Sequence, residues 1–264
     1  GPAQGSITSR LSDWPTRRER ETSAAVTTDR DDAPYDPADP TSAHKAPRPR
    51  DAATLILIRR DGPVPRVLMG QRTKRHDFMP DKYVFPGGRV DRSDATAPAA
   101  TELSEAALGD LAKQCKRART RAYALAAVRE MYEEAGLIVG RPGSARRPRD
   151  PSWADFTGTG ALPHLAPLSF VARAITPPYR PKRFDARFFM ADAEEALLDD
   201  RPARSGAELA DLRWFAFEEA LTLDLPNVTR FVLGEIAERL AKQGERVGPP
   251  FLRWTRTGHR MDRL

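Results

Sequence analysis

The run Arg129-Glu130-Met131-Tyr132-Glu133-Glu134-Ala135-Gly136-Leu137 constrains the fold more than any other stretch of this 264-residue chain. At 100° per residue, a helix through it sets Glu130, Glu133 and Glu134 on one arc roughly a quarter turn wide. Leu125, Val128 and Tyr132 take the opposite face, which predicts packing against a sheet with the acidic arc turned towards a cleft. On a solvated helix, repulsion among three carboxylates costs roughly a few tenths of a kcal/mol per pair. The cluster alone therefore does not separate a harmless surface from a site.

A glycine segment upstream tips that balance. In Tyr83-Val84-Phe85-Pro86-Gly87-Gly88-Arg89-Val90-Asp91 a short apolar run ends at Pro86, and the paired glycines permit backbone angles and close approaches that a Cβ forbids. Beside such a loop the glutamates suit a hard divalent cation. Mg²⁺ takes oxygen ligands and keeps several waters, so one or two carboxylates plus substrate phosphates complete its shell.

Loop and helix together resemble the Nudix box, G-x5-E-x7-R-E-U-x-E-E-x-G-U, with U aliphatic. Gly88 matches its first glycine, Arg129 and Glu130 its R-E, Met131 its first U, Glu133 and Glu134 its E-E, and Gly136 and Leu137 its end. Two positions depart from it. Asp94 stands where the pattern has its first glutamate, and 128 − 94 = 34 residues separate it from Arg129 instead of seven. An interrupted box is similar to the branch that contains the peroxisomal coenzyme A diphosphatases and their bacterial relatives. Arg72, Phe78-Met79-Pro80, Thr176-Pro177-Pro178, Arg183-Phe184-Asp185, Phe188-Phe189 and Leu223-Asp224-Leu225-Pro226 also look like that branch. A second signature, from another group of coenzyme A pyrophosphatases, fits in part: Asp77 and Asp81 occupy its arginine and glycine positions.

The resemblance implies an α/β/α sandwich with a mixed β-sheet, carrying an extra helical insertion within the box. It implies an enzyme, a Nudix diphosphatase using Mg²⁺ or Mn²⁺ to hydrolyse a nucleoside diphosphate linked to another moiety. Coenzyme A or acyl-CoA is the leading substrate, giving 3′,5′-ADP and a phosphopantetheine product; NADH, FAD, ADP-ribose or another dinucleotide is the alternative. A nucleotide sensor that binds without turnover is a third reading. By the motif match, Glu130, Glu133 and Glu134 are catalytic and metal-binding residues. Arg129 orients a glutamate through charge-assisted hydrogen bonds. Gly87 and Gly88 shape the substrate loop. The general base is either a box glutamate or a remote carboxylate, for which Glu208 is the candidate. Asp94 either keeps the role of the missing glutamate or caps the inserted helix. Arg72 either reaches a phosphate or braces the glycine loop through Asp77 or Asp81. Arg180, Lys182 and Arg183 form a basic cluster, so Arg180 and Arg183 are candidate substrate-binding residues for a 3′-phosphate.

A net charge of +6 suits an anionic partner, but both signs are interspersed and no helix-turn-helix, zinc-finger or ribonucleoprotein pattern appears. The expected partner is a small nucleotide, not a nucleic acid, with a homodimer possible. Cys115 is the only cysteine, which excludes an intrachain disulfide and a multi-cysteine metal site. His76, His164 and His259 sit singly and lack the spaced partners of a zinc site. No stretch approaches the roughly 18 apolar residues of a membrane span, and no apolar secretion core is seen, so a soluble cytoplasmic protein is expected.

Residues 1–50, rich in Pro, Asp, Arg, Thr and Ala, read as a mobile tail or wrapping arm. Residues 51–264 read as one domain, with 95–128 as the insertion and the start of the site helix. Thr54 to Arg59 and Arg66 to Gln71 predict a strand pair, Lys82 to Phe85 a strand into the glycine loop, and Thr101 to Gln114 an inserted helix. Arg121 to Ala135 is the site helix. Leu168 to Ile175, Asp185 to Asp192 and Leu212 to Phe217 predict strands, the last of them final, and Asn227 to Lys242 an amphipathic helix.

Overall fold

A computed structural model describes residues 47–74, 80–178, 180, 182–241, 248–255 and 258–264. The expectations for the tail up to residue 46, for His76, Asp77, Phe78 and Met79, and for the side chain of His259 lie outside them.

β1 (Arg50–Arg59) shows why both faces of the sheet are covered. Its alternate side chains go to different cores: Ala53, Leu55 and Leu57 join one buried cluster, and Ile56 and Ile58 join the other. A strand with apolar residues at both parities cannot face water on either side. β1 pairs antiparallel with β2 (Arg66–Arg72) and β4 (Gly87–Arg89), and parallel with β8 (Phe184–Asp192). The main sheet runs β11-β10-β7-β8-β1-β2-β3, with β9 also on β2. Here β3 is Tyr83–Val84, β7 Ser169–Ile175, β9 Leu209–Ala216, β10 Pro250–Thr255 and β11 Gly258–Arg263. β5 (Gly140–Pro142) and β6 (Ala161–Pro163) form a separate pair.

One face carries α1 (Glu105–Ala112), α2 (Arg117–Ala135) and α3 (Pro151–Gly158). The other carries α5 (Phe217–Thr222) and α6 (Asn227–Ala241), whose Val232, Leu233 and Ile236 are fully buried. The short α4 (Ala193–Ala196) follows β8. The architecture is the expected mixed α/β arrangement. β9 is not the final strand: β10 runs parallel to β7, and β11 returns beside it.

The site helix departs from the amphipathic picture. Every residue from Ala122 to Arg129 is buried, so its middle turns have no solvated face, although the first turn, Arg117 to Arg119, is exposed. Two helices account for this: α1 of the insertion and α3, which follows α2 in the chain, pack where water was expected, and alanines at positions 122, 124, 126 and 127 leave them room. α1 is capped by the Ser104 side chain, which accepts from Ala107 N at 3.2 Å. α2 stops at Gly136, whose φ of 68° is the left-handed cap that glycine adopts without penalty.

A polar knot ties the early part of α2 to the sheet. The Tyr123 hydroxyl donates to Asp51 at 2.7 Å, and Arg119 also bonds Asp51. Arg187 stacks 3.9 Å over the Tyr123 ring and pairs with both Asp51 and Asp185, while Arg173 grips Asp185 at 2.7 and 2.8 Å.

Candidate active site

The glycine segment is a strand rather than a free loop. Gly87 lies opposite Thr54 and Gly88 opposite Ala53, which fixes both against β1. Neither has a positive φ, so what they supply is space rather than an unusual backbone angle. A Cβ on Gly88 would lie 2.5 Å from the Glu130 carboxyl, and one on Gly87 would lie 2.7 Å from the Ala53 carbonyl oxygen. A side chain at 88 would occupy the place of the glutamate.

Glu134, on the next turn of α2, accepts a hydrogen bond from Gly87 N at 2.9 Å. The two glutamates are thus held beneath one strand. Burial pushes the Glu130 carboxyl up to about 7, with Arg129 opposing and Glu133 reinforcing the shift. Burial likewise raises Glu134 well above the usual carboxylate range, and the adjoining charge of Glu130 adds to it. Two buried carboxylates that resist joint ionisation form an acceptor site short of positive charge.

Arg129 supplies part of that charge and much of the rigidity. Its Nε and Nη2 reach the two oxygens of Asp94 at 2.8 and 3.1 Å, and its Nη1 reaches Glu130 at 2.8 Å and Glu133 at 3.3 Å. Nη2 also donates to the Arg89 carbonyl at 2.8 Å, which couples the helix to the glycine strand. Asp94 is completely buried, and its other partners are the Trp153 indole at 3.0 Å and Asp91 N at 2.7 Å. It therefore anchors Arg129 and does not cap α1, a task Ser104 performs. Trp153, on α3, was not singled out by the sequence reading. Nothing in the sequence pairs an indole with an aspartate 59 positions away.

Arg72 is brought to the cluster. Burial lowers its guanidinium below the usual value, while the neighbouring charges of Glu134 and Glu208 oppose that shift. Its main chain closes a turn, donating to Lys82 O and accepting from Asp81 N, so any bracing through position 81 runs through the backbone. Glu208 is exposed just ahead of β9, its carbonyl bonded to Thr73 N at 3.1 Å, and its charge reaches Glu130, Glu134 and Arg72.

Arg183 does not join the glutamates. Its guanidinium donates to the carbonyls of Thr176 and Pro47, closing the hairpin between β7 and β8. Arg180 lies in that hairpin, where its N–H bonds Pro177 O. His164 is a buried partner of the Thr101 hydroxyl at 2.7 Å. Among the described residues, no three His, Cys, Asp or Glu side chains converge as a ready-made metal cage. Glu130 and Glu134 instead fit an ion that completes its shell with water and substrate oxygens.

This geometry has relatives. No protein-family model matches the chain. A Nudix hydrolase from Alicyclobacillus acidocaldarius shares the fold with a TM-score of 0.53 and 27% identity, over 70% of this chain and 90% of that one. Nudix hydrolase 7 of Caenorhabditis elegans is 30% identical over 188 residues, 65% of this chain and 53% of that protein. The chain is thus similar to Nudix hydrolases in both sequence and fold. Acyl-coenzyme A diphosphatase NUDT19 of Gallus gallus is 31% identical over 147 residues, covering 44% of this chain and 36% of that protein. The chain thus spans about half the length or less of these two relatives. No described helix is long and apolar enough to cross a membrane.

Proposed function

We propose that the protein is a divalent-cation-dependent diphosphatase that hydrolyses coenzyme A or its thioesters to 3′,5′-ADP and a phosphopantetheine product. The observation that carries the chemistry is the pair Glu130 and Glu134, packed under Gly88 and Gly87 and both with carboxyls raised above their usual range. The similarity to the chicken acyl-coenzyme A diphosphatase supports the substrate.

A diphosphate presents closely spaced negative charge that repels an incoming nucleophile. Mg²⁺ or Mn²⁺ would neutralise that charge and raise the acidity of a bound water. The protein's part is positioning. Arg129, fixed by Asp94 and Trp153, holds Glu130 and Glu133 in one orientation, and Gly87 N holds Glu134. Glu133, one-third exposed, and Glu208 are the carboxylates placed to take the proton of the attacking water. Arg72 offers positive charge for a phosphate oxygen beside Glu134. Water adds to one phosphorus, the bridging P–O bond breaks, and each half of the substrate leaves with one of the two phosphates as a monoester.

The test is Mg²⁺-dependent release of 3′,5′-ADP from coenzyme A, resolved by chromatography beside NADH, FAD and ADP-ribose. Preferential 3′,5′-ADP release supports the reading. Cleavage of only the other compounds keeps the diphosphatase and discards coenzyme A. Nucleotide binding with no product at high enzyme concentration replaces the enzyme with a sensor.

A further inference from the structure

A groove of about 970 Å³ lies between the last turn of α2, α3 and residues 201–204. Small-molecule clefts run to roughly 300–1,000 Å³, so a nucleotide-sized ligand fits. Tyr132, Glu133 and Gly136 form its α2 wall, whereas Glu130 and Glu134 lie outside its lining. Glu133 therefore belongs to both places, bonded to Arg129 at the glutamate cluster and bordering the groove.

Three arginines rim the groove, and they are not equivalent. Arg201 is held by both oxygens of Asp199, at 2.7 Å each. Among the described residues, Arg147 and Arg204 are exposed and have no carboxylate partner. Arg204 is nonetheless anchored: its N–H donates to Ala135 O at 2.9 Å, and its aliphatic stem lies over Gly136, where an added Cβ would sit 3.8 Å away. The acidic lining is smaller in effect. Glu133 is paired with Arg129, which leaves Asp155 as the other carboxylate. The Thr157 hydroxyl donates to Trp153 O at 2.8 Å, so its lone pairs remain available as acceptors.

We propose that this groove holds the half of the substrate carrying a phosphate monoester, with Arg147 and Arg204 binding the monoester and Asp155 and Thr157 accepting from sugar hydroxyls. The inference rests on the diphosphatase reading, because Glu133 is what joins the groove to the reacting diphosphate. It assigns recognition of the 3′-phosphate to this groove. Arg183 loses that role, its guanidinium being bonded to main-chain carbonyls. Two guanidinium contacts to one phosphate give a geometric preference that a single exposed cation lacks.

The experiment compares wild type with Arg147→Glu/Arg204→Glu, and with Arg147→Gln/Arg204→Gln as a milder pair, after confirming unchanged melting. The readouts are kcat/KM for coenzyme A relative to 3′-dephospho-coenzyme A, and equilibrium binding of 3′,5′-ADP. The expected result is at least a tenfold fall in that ratio, expressed in KM, with at least tenfold weaker 3′,5′-ADP binding. A wild type that cleaves coenzyme A but whose ratio is unmoved by either double substitution overturns the groove and leaves the diphosphatase standing. If wild type cleaves no diphosphate, the binding measurement decides: equal affinity in wild type and both variants overturns the groove, and the tenfold loss upholds it.

Discussion

Asp51 on β1 and Glu134 on α2 both lie where that helix meets the sheet, yet their surroundings act in opposite directions. Burial pushes Asp51 up, but the Tyr123 hydroxyl, Arg119 and Arg187 more than offset this, and its carboxyl lies below the usual range. Burial pushes Glu134 up as well, and there the largest neighbouring charge, Glu130, pushes the same way. The knot around Asp51 is complete within the protein. Around Glu134 the charge of Arg72 falls short of the acidic charge, and a cation with phosphate oxygens is what would complete the cluster. A charge that the protein fails to balance distinguishes a site from a brace more sharply than the mere presence of ionisable groups.

The largest test of this contrast is Glu134→Gln. Turnover should fall by orders of magnitude while the melting temperature holds or rises, because a repelled buried carboxylate has become neutral. Wild-type turnover in that variant would remove Glu134 from the machinery. Next comes Arg129→Met, which strands the buried Asp94 charge and should cost about 3–5 kcal/mol in urea unfolding. Adding Asp94→Leu should recover much of that loss; a double variant no more stable than the single one would mean the pair was not the source.

The pH dependence has a definite sign. Glu130 rises from 4.5 to about 7 on folding, so its protonated form is favoured in the folded state. That stabilisation is full below pH 4.5 and is lost as the pH rises through about 7, on the order of 3 kcal/mol for the metal-free protein. Saturating Mg²⁺ should flatten the slope, and chelated protein whose melting temperature is flat from pH 4.5 to 7.5 would count against the unbalanced cluster. The smallest effect belongs to the brace. Asp51→Asn should lose about 1–2 kcal/mol at neutral pH without altering the stabilisation by Mg²⁺. Because its pKa is depressed, the Asp51 contribution disappears only as the pH falls below 3.8.

Much of the frame is legible in the sequence because periodicity reports burial. The two aliphatic runs of β1 and β2, the strands β7 and β8, and the apolar side of α6 all stand near their expected places. β10 and β11 escaped notice because Pro250–Thr255 and Gly258–Arg263 mix arginines with single large apolar residues and show no clear alternation. At the site, the glutamate arc and Gly88 are readable as a motif. The anchoring of Arg129 is not, since Asp94 and Trp153 meet only through tertiary packing. The burial of the middle of α2 was likewise hidden, because alanines carry too weak a hydrophobic signal to announce turns enclosed on every side.

The Asp94–Arg129 contact closes the 34-residue segment 95–128 at its two ends, where the family pattern has seven residues. In polymer terms, lengthening a closed loop from seven to 34 residues costs only about (3/2)RT ln(34/7), or about 1.4 kcal/mol. Burial of Leu103, Ala107 and Leu111 within that same segment readily offsets such a sum. The part of that stretch ahead of α2 is therefore nearly neutral ballast clipped at its neck, and a chain can lengthen or rewrite it while the clip keeps the glutamates in register.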